Sequence, residues 1–161
     1  MTDTDINQLP ILLRRRIEAE FAKGVYDEMV AEIGAEAAKR ILTRAVVKMA
    51  KATAAEMAKE APNGAPDMAS FRALRPRWTA QGALETEELK STEGEYDYNV
   101  TRCRYAEMYR AMGLAELGAI LSCNRDAAFC EGYDPKLKLT RTQTIMGGAG
   151  YCDFRYRRES S

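Results

Sequence analysis

The strongest constraint on the fold is a long helical repeat that ends abruptly. From residue 35 to residue 61 the apolar residues recur at helical spacing over several turns, and the stretch PNGAP then ends the run. The apolar stripe consists of Ala38, Ile41, Leu42, Ala45, Val46, Met49 and Ala52. The sequence therefore predicts one long amphipathic helix.

A second helix is predicted just before it, from Ile11 to about Gly34, after a proline suited to a helix start and with a kink at Gly24. Its apolar stripe consists of Leu12, Ile17, Phe21, Val25 and Met29. Such stripes pack either inside one chain or between copies. The intrachain core is favoured, and a homo-oligomer through the N-terminal helices is the alternative.

Beyond PNGAP the pattern becomes mixed. A short helix is predicted between Asp67, a suitable N-cap residue, and Pro76. Two hairpins follow, ALETEELKSTEGEYDYNVT and LKLTRTQT–IMGGAG–YCDFRYR, and they are separated by two helical stretches. This order predicts an α+β fold, with N-terminal helices packed on a mainly antiparallel sheet of about four strands. We expect one domain over residues 1–161, helical over 1–62 and mixed over 63–157.

Charge and hydropathy exclude several classes of function. The chain has 24 basic and 24 acidic residues, so no global charge favours nucleic acid or membrane partners. The N-terminus MTDTDINQLP lacks the pattern of a signal peptide, and no apolar run has membrane-spanning length. We therefore expect a cytoplasmic protein whose four cysteines, none in a CxxC pair, are reduced thiols.

The chain contains no histidine, which removes the commonest general base and metal ligand. Carboxylates and thiols are then the natural catalytic candidates. Cys103 begins a helix and shares a face with Glu107. The N–H groups at that helix start, with Arg102 and Arg104, are expected to stabilise its thiolate.

Asp126 lies on the next helix, close to Cys123 and Cys130 and at the margin of an apolar stripe. A half-buried carboxylate needs a partner, and Arg141 is the predicted one. Zinc binding by Cys103, Cys152 and Asp126 is an alternative, with spacings that are irregular for such a site.

Strand alternation sorts the residues of the last hairpin. Cys152, Phe154 and Tyr156 share one face, predicted to point inward, while Asp153 and Arg155 share the other. Taken singly, each free cysteine is more simply explained as a small buried hydrophobe. An apolar face that becomes polar near the glycine turn is nevertheless what the rim of a pocket would show.

Four sequence elements, NVTRCRYAE, CNRD, LTRTQT and GGAGYCDFRYR, occur in this order within residues 71 to 157. Together they resemble the signature region of the L-2-amino-thiazoline-4-carboxylic acid hydrolase family. The late glycine and cysteine hairpin is also similar, more faintly, to four-vinyl-reductase-type small-molecule-binding domains. That second similarity implies an α+β fold with a ligand pocket.

The resemblance implies a ring-opening hydrolase that acts on carbon–nitrogen bonds other than peptide bonds, or on the carbon–sulfur bond of the same ring. Its expected substrate is a cyclic amidine like 2-amino-thiazoline-4-carboxylate, opened on a route through N-carbamoylcysteine to cysteine. In the resulting hypothesis, Asp126 or Glu107 binds the amidinium and moves protons, and a thiol attacks or lines the pocket. The catalytic candidates are Cys103, Asp126, Cys152 and Glu107; the substrate-binding candidates are Asn99, Thr101, Arg141, Gln143, Asp153 and Arg155. Arg141 is expected to hold the substrate carboxylate. Asn99 and Thr101 are expected on the Cys103 face of their strand, where they would donate hydrogen bonds to the reacting centre.

No cofactor is predicted, and a requirement for a divalent metal is left open. The expected partner is a small heterocyclic substrate, with no nucleic acid and no membrane. Two competing classes use the same sequence features: a non-catalytic small-molecule-binding or sensor domain, and a structural oligomer built on the alanine-rich helix.

Overall fold

The structure, a computed structural model, describes residues 8–160, without the side chain at position 63. Its helices are α1 (Ile11–Ile33), α2 (Ala35–Lys59), α3 (Met68–Ala73), α4 (Pro76–Thr79), α5 (Arg104–Ala111), α6 (Ala115–Gly118) and α7 (Asn124–Tyr133). Its strands are β1 (Leu84–Ser91), β2 (Glu95–Cys103), β3 (Leu137–Thr140) and β4 (Cys152–Arg158). A π-helical turn at Ala119–Cys123 joins α6 to α7.

The four strands form one antiparallel sheet in the order β1-β2-β4-β3. The predicted α+β fold and both predicted hairpins are confirmed. In the two central strands Tyr98 pairs with Phe154, and Val100 pairs with Cys152. These four side chains are buried, so the inward face of β4 is also as predicted.

A β-bulge interrupts the alternation of β2 near its end. Glu85 pairs with Arg102 and the next residue of β1, Thr86, pairs with Val100, so Thr101 is the extra residue. A bulge of one residue exchanges the two faces beyond it. Cys103 therefore joins the inner face with Val100, and the prediction that Asn99 and Thr101 share the face of Cys103 is wrong.

The predicted helix α1 forms, but it is continuous through Gly24 and buries only part of the predicted stripe. Leu12 and Met29 pack against the core with the buried Ala19 and Tyr26, whereas Ile17 and Phe21 are 53% and 77% exposed. The rest of the inner face carries small residues and arginines. An oligomer formed through these helices stays a prediction.

Helix α2 packs closely on α7, and Gly132 permits the approach. A Cβ atom at position 132 would lie 2.4 Å from the backbone oxygen of Lys51. The buried residues of α2 are Ala38, Val46, Ala50 and Ala54, while Met49 of the predicted stripe is exposed. Small residues on α2 and a glycine on α7 thus bring the two backbones together.

The predicted short helix after PNGAP is confirmed as α3. The Asp67 carboxylate accepts a hydrogen bond from the Ser70 N–H, and the Ser70 hydroxyl accepts one from the Asp67 N–H. This capping box turns Phe71 into the aromatic core, where it contacts Tyr133 and Tyr156. Within residues 8–160, no helix has the length and apolarity needed to cross a membrane.

Alanine substitutions at Gly132 and at Gly24 test this packing, the second serving as the control. Gly132→Ala should lower the free energy of unfolding by about 1–3 kcal/mol, because the added methyl group collides with the α2 backbone. Gly24→Ala, in open space on α1, should raise it by about 0.5–1 kcal/mol. Urea unfolding of both variants checks this, and stabilisation by Gly132→Ala would contradict the packing described.

Candidate active site

A cavity of about 330 Å³ lies between the inner face of the sheet and helices α1, α2 and α7. Small-molecule sites usually measure about 300–1,000 Å³, so this volume suits a compact ligand. Much of its wall is aromatic: Phe71, Trp78, Tyr98, Phe129, Phe154 and Tyr156. Its polar groups enter this apolar wall from the helices and from the loop after β3.

The central polar feature of the cavity is the pair formed by Asp126 and Arg141. Arg141, just after β3, donates through Nη1 to Oδ2 of Asp126 and through Nη2 to the backbone oxygen of Cys123, at 3.2 Å. Its guanidinium carbon also lies 5.0 Å from the centre of the Phe154 ring. The partnership predicted from the sequence is therefore confirmed.

Burial raises the pKa of Asp126 above its ordinary value, and the positive charge of Arg141 opposes that effect. The side chain is 34% exposed, and it lines the cavity. A carboxyl group with a raised pKa that remains accessible to a ligand is a better proton acceptor than an ordinary aspartate. Asp126 is thus the best-placed acid–base group among the described residues of this cavity.

Three thiols line the same cavity, those of Cys103, Cys123 and Cys152. Burial raises the pKa of each, to about 12 for Cys123. The Cys152 sulfur accepts the Ile145 N–H at 3.2 Å, which only partly offsets the effect of burial. All three groups are therefore protonated thiols at neutral pH.

The predicted stabilisation of a Cys103 thiolate is wrong. The Ala106 N–H, in the first turn of α5, does donate to the Cys103 sulfur at 3.4 Å, but burial has the larger effect. The two flanking arginines bind elsewhere. Arg102 pairs with Glu107 at 2.8 Å, and Arg104 donates to the backbone oxygen of Gln81.

Glu107 is exposed in that ion pair and does not line the cavity. All the predicted substrate-binding residues except Arg141 also lie outside the cavity lining. Arg155 donates to the Asn99 side-chain oxygen at 2.9 Å, on the outer face of the sheet. The Thr101 hydroxyl donates to the backbone oxygen of Glu85 at 3.3 Å.

Asp153 holds the loop between β3 and β4. Its carboxylate accepts the backbone N–H groups of Thr142 and Gln143, each at 2.9 Å, and these bonds lower its pKa against the opposing effect of burial. The Gln143 amide in turn donates to the Tyr151 carbonyl. The structure thus brings together Cys103, Asp126, Arg141 and Cys152 of the predicted set, and separates them from the other six.

Sequence reasoning missed every cavity arginine except Arg141, and Arg15 and Arg125 are the most buried of those it missed. Arg15 stands in the run RRR at helical spacing from Glu18, a pattern that usually marks an exposed ion pair. Arg125 stands in the CNRD element beside Asp126. Its position next to a predicted catalytic residue was the one sequence signal for it. Both side chains are mostly buried, at 12% and 17% exposure.

Among residues 8–160, no group of three or more His, Cys, Asp or Glu side chains is arranged to hold a metal ion. The requirement for a metal or cofactor therefore stays open. The described site consists of one carboxylate, several arginines and three thiols within an aromatic wall.

Fold and cavity together define an α+β domain with a cavity of small-molecule size. Residues 14–156 match the family described as L-2-amino-thiazoline-4-carboxylic acid hydrolase, and the chain belongs to that family. The comparison with curated proteins gives no match. The resemblance inferred from the sequence motifs is therefore confirmed at the level of the family.

Two solved structures share the fold. The phenol-responsive sensory domain of the transcription activator PoxR, with phenol, is 14% identical at a TM-score of 0.54, covering 84% of this chain and 71% of that one. A trafficking protein particle complex subunit 3 from Naegleria fowleri, covalently bound to palmitic acid, is 9% identical at a TM-score of 0.53, covering 92% and 96%. At these identities the similarity shows the fold alone.

The effect of burial and of Arg141 on the pKa of Asp126 can be tested without an assay of activity. Carboxyl-carbon NMR should show Asp126 titrating above the ordinary aspartate value of about 3.9, and higher still in Arg141→Gln, because the opposing charge is lost. A raised folded-state pKa means that Asp126 favours folding at low pH and that this contribution is lost as the pH rises through that pKa.

Arg16→Gln is the control, since Arg16 pairs with Glu20 on the exposed face of α1. It should leave the titration of Asp126 unchanged. A lower pKa for Asp126 in Arg141→Gln would contradict the pairing described here.

Proposed function

We propose that this protein hydrolyses a small cyclic amidine, with 2-amino-thiazoline-4-carboxylate or a close analogue as substrate. The observation that carries the proposal is the Asp126–Arg141 pair in the wall of a compact cavity. Membership of the hydrolase family supports the same reaction class. An ionised carboxylate facing the ligand can bind an amidinium and also accept a proton from water.

In the proposed reaction, water adds to the ring carbon that is bonded to sulfur and two nitrogens. Asp126 accepts one proton from the attacking water and passes it to the ring nitrogen. Collapse of the tetrahedral intermediate breaks the C–S bond, and the proton of the new hydroxyl passes to sulfur. The product is N-carbamoylcysteine; rupture of the ring C–N bond would instead leave the carbamoyl group on sulfur.

Arg141 acts on Asp126 in this scheme. Its hydrogen bond fixes one carboxylate oxygen and its charge favours the ionised form, which is the form that accepts a proton. Arg141 is therefore a positioning residue rather than the holder of the substrate carboxylate that the sequence predicted. A different cation must then bind that carboxylate.

The thiols take a lining role in the proposal. Cys103, Cys123 and Cys152 all have raised pKa values, and a protonated thiol is a poor nucleophile compared with its thiolate. Water activated by Asp126 needs no thiolate. These thiols stay reduced in the cytoplasm, which we propose as the compartment.

Replacing Asp126 and the thiols separately tests this assignment. Asp126→Asn should lower kcat at least about 100-fold, because it removes the acid–base group. Cys103→Ser and Cys152→Ser should retain most of the turnover, measured as release of a free thiol from the opened ring. Circular dichroism of each variant verifies the fold, and loss of turnover in a cysteine variant with normal turnover in Asp126→Asn would reverse the assignment.

A non-catalytic binding domain is the second candidate, favoured by the aromatic wall of the cavity. The shared fold with a phenol-responsive sensory domain is compatible with it. The two functions differ in one observable outcome: a binding domain holds the cyclic compound intact. Assays with and without a chelator would separately establish whether a divalent metal is required.

A further inference from the structure

The charges around the cavity are strongly unequal. Of the described residues that line it, only Asp126 is acidic, whereas the basic ones are Arg14, Arg15, Arg77, Arg125 and Arg141. Arg141 donates hydrogen bonds to Asp126 and to the backbone carbonyl of Cys123. Arg77 pairs with Glu60, whereas Arg15 and Arg125 share the carboxylate of Glu18, and this excess of positive charge favours an anionic ligand.

Three of these arginines converge on one carboxylate. Glu18 accepts hydrogen bonds from Arg14, Arg15 and Arg125, with nitrogen–oxygen distances of 3.1, 2.7 and 3.3 Å. Glu18 itself does not line the cavity, whereas the three arginines do. The cluster therefore carries a net positive charge on the side that faces a ligand.

The pKa values of Glu18 and Arg125 shift in the directions that these contacts predict. Burial opposes ionisation of Glu18, yet the adjacent arginines hold its pKa below the ordinary value. Burial lowers the pKa of Arg125, and repulsion from Arg15 acts in the same direction. Two guanidinium groups are thus held close together with a single carboxylate to share, a situation that a bound anion would relieve.

The beginning of α1 lines the same cavity as these arginines. Leu9, Pro10 and Ile11 line the cavity beside the arginines, and Pro10, the N-cap residue, makes no side-chain hydrogen bond to the first turn. A helix N-terminus carries a partial positive charge and presents backbone N–H groups, both of which favour anions. Helix α1 is 23 residues long, so the dipoles of many peptide groups add along its axis.

We propose that Arg15 and Arg125, with the start of α1, form a carboxylate-binding subsite that orients the substrate toward Asp126. This inference rests on the proposed function and adds to it the residues that bind the carboxylate of the substrate. The two subsites are neighbours, because Arg15, Arg125 and Asp126 line the same cavity and Arg125 directly precedes Asp126 on α7. The planar guanidinium fork of arginine suits a carboxylate, with which it forms paired hydrogen bonds.

The test compares 2-amino-thiazoline-4-carboxylate with its uncharged 4-carboxamide in the full chain. Arg15→Gln should weaken binding of the acid at least about tenfold, because a charge-assisted hydrogen bond is lost, and should change binding of the amide little. Arg15→Lys should restore part of the affinity for the acid. Arg16→Gln, one residue away and exposed, should bind both compounds as the wild type does.

Calorimetric Kd values test the carboxylate-binding subsite, and steady-state kinetics test hydrolysis. Because the two are measured separately, one proposal can be contradicted while the other is retained. Selective loss of acid binding in a chain that shows no turnover would contradict the hydrolase and retain the subsite. Equal binding of acid and amide by the wild type would overturn the subsite even if the ring is opened. If Arg15→Gln does not fold, Arg125→Gln and Arg15→Lys are measured in the same way, and unchanged discrimination in both would overturn the proposal.

Discussion

The ion pair between Asp126 and Arg141 is the interaction on which the site depends. Burying a carboxylate costs several kcal/mol unless a partner and hydrogen bonds compensate, and Arg141 supplies both. The pair joins two parts of the fold, since Asp126 lies in the first turn of α7 and Arg141 follows β3. Its arginine also lies over the Phe154 ring, so the aromatic wall and the charged centre are one assembly.

Local irregularities of the backbone direct side chains into the cavity. The bulge at Thr101 moves Cys103 to the inner face of the sheet. The π-helical turn at Ala119–Cys123 comes directly before Asn124, at the start of the helix that carries Arg125 and Asp126. Such turns are often found at functional sites. Two departures from regular geometry thus flank the same ligand space.

Much of the fold followed from periodicity, whereas the faces of individual elements often did not. The hairpins, the capped helix and the inward face of β4 were predictable because each depends on residues close in the chain. The burial of α1 was not, since its inner face carries arginines, and an arginine at helical spacing from a glutamate usually marks an exposed surface.

The same reasoning explains which site residues were predicted. Asp126 and Arg141 were paired because a half-buried carboxylate requires a cation. Arg15 was missed because Arg125, which binds the same Glu18, lies 107 residues beyond that glutamate, a separation that no local pattern reveals. Glu107 and Asn99 were placed near Cys103 by spacing, and tertiary contacts gave both of them other partners.

The central question is whether water hydrolyses the ligand that binds in this cavity, as we propose. Incubating the purified chain with 2-amino-thiazoline-4-carboxylate in ¹⁸O-labelled water and weighing the products by mass spectrometry tests it most directly. We expect a ring-opened product that has gained one water molecule and carries the label on its new carbonyl. Recovery of the intact ring, under conditions in which the compound binds, would contradict the claim and leave a binding domain.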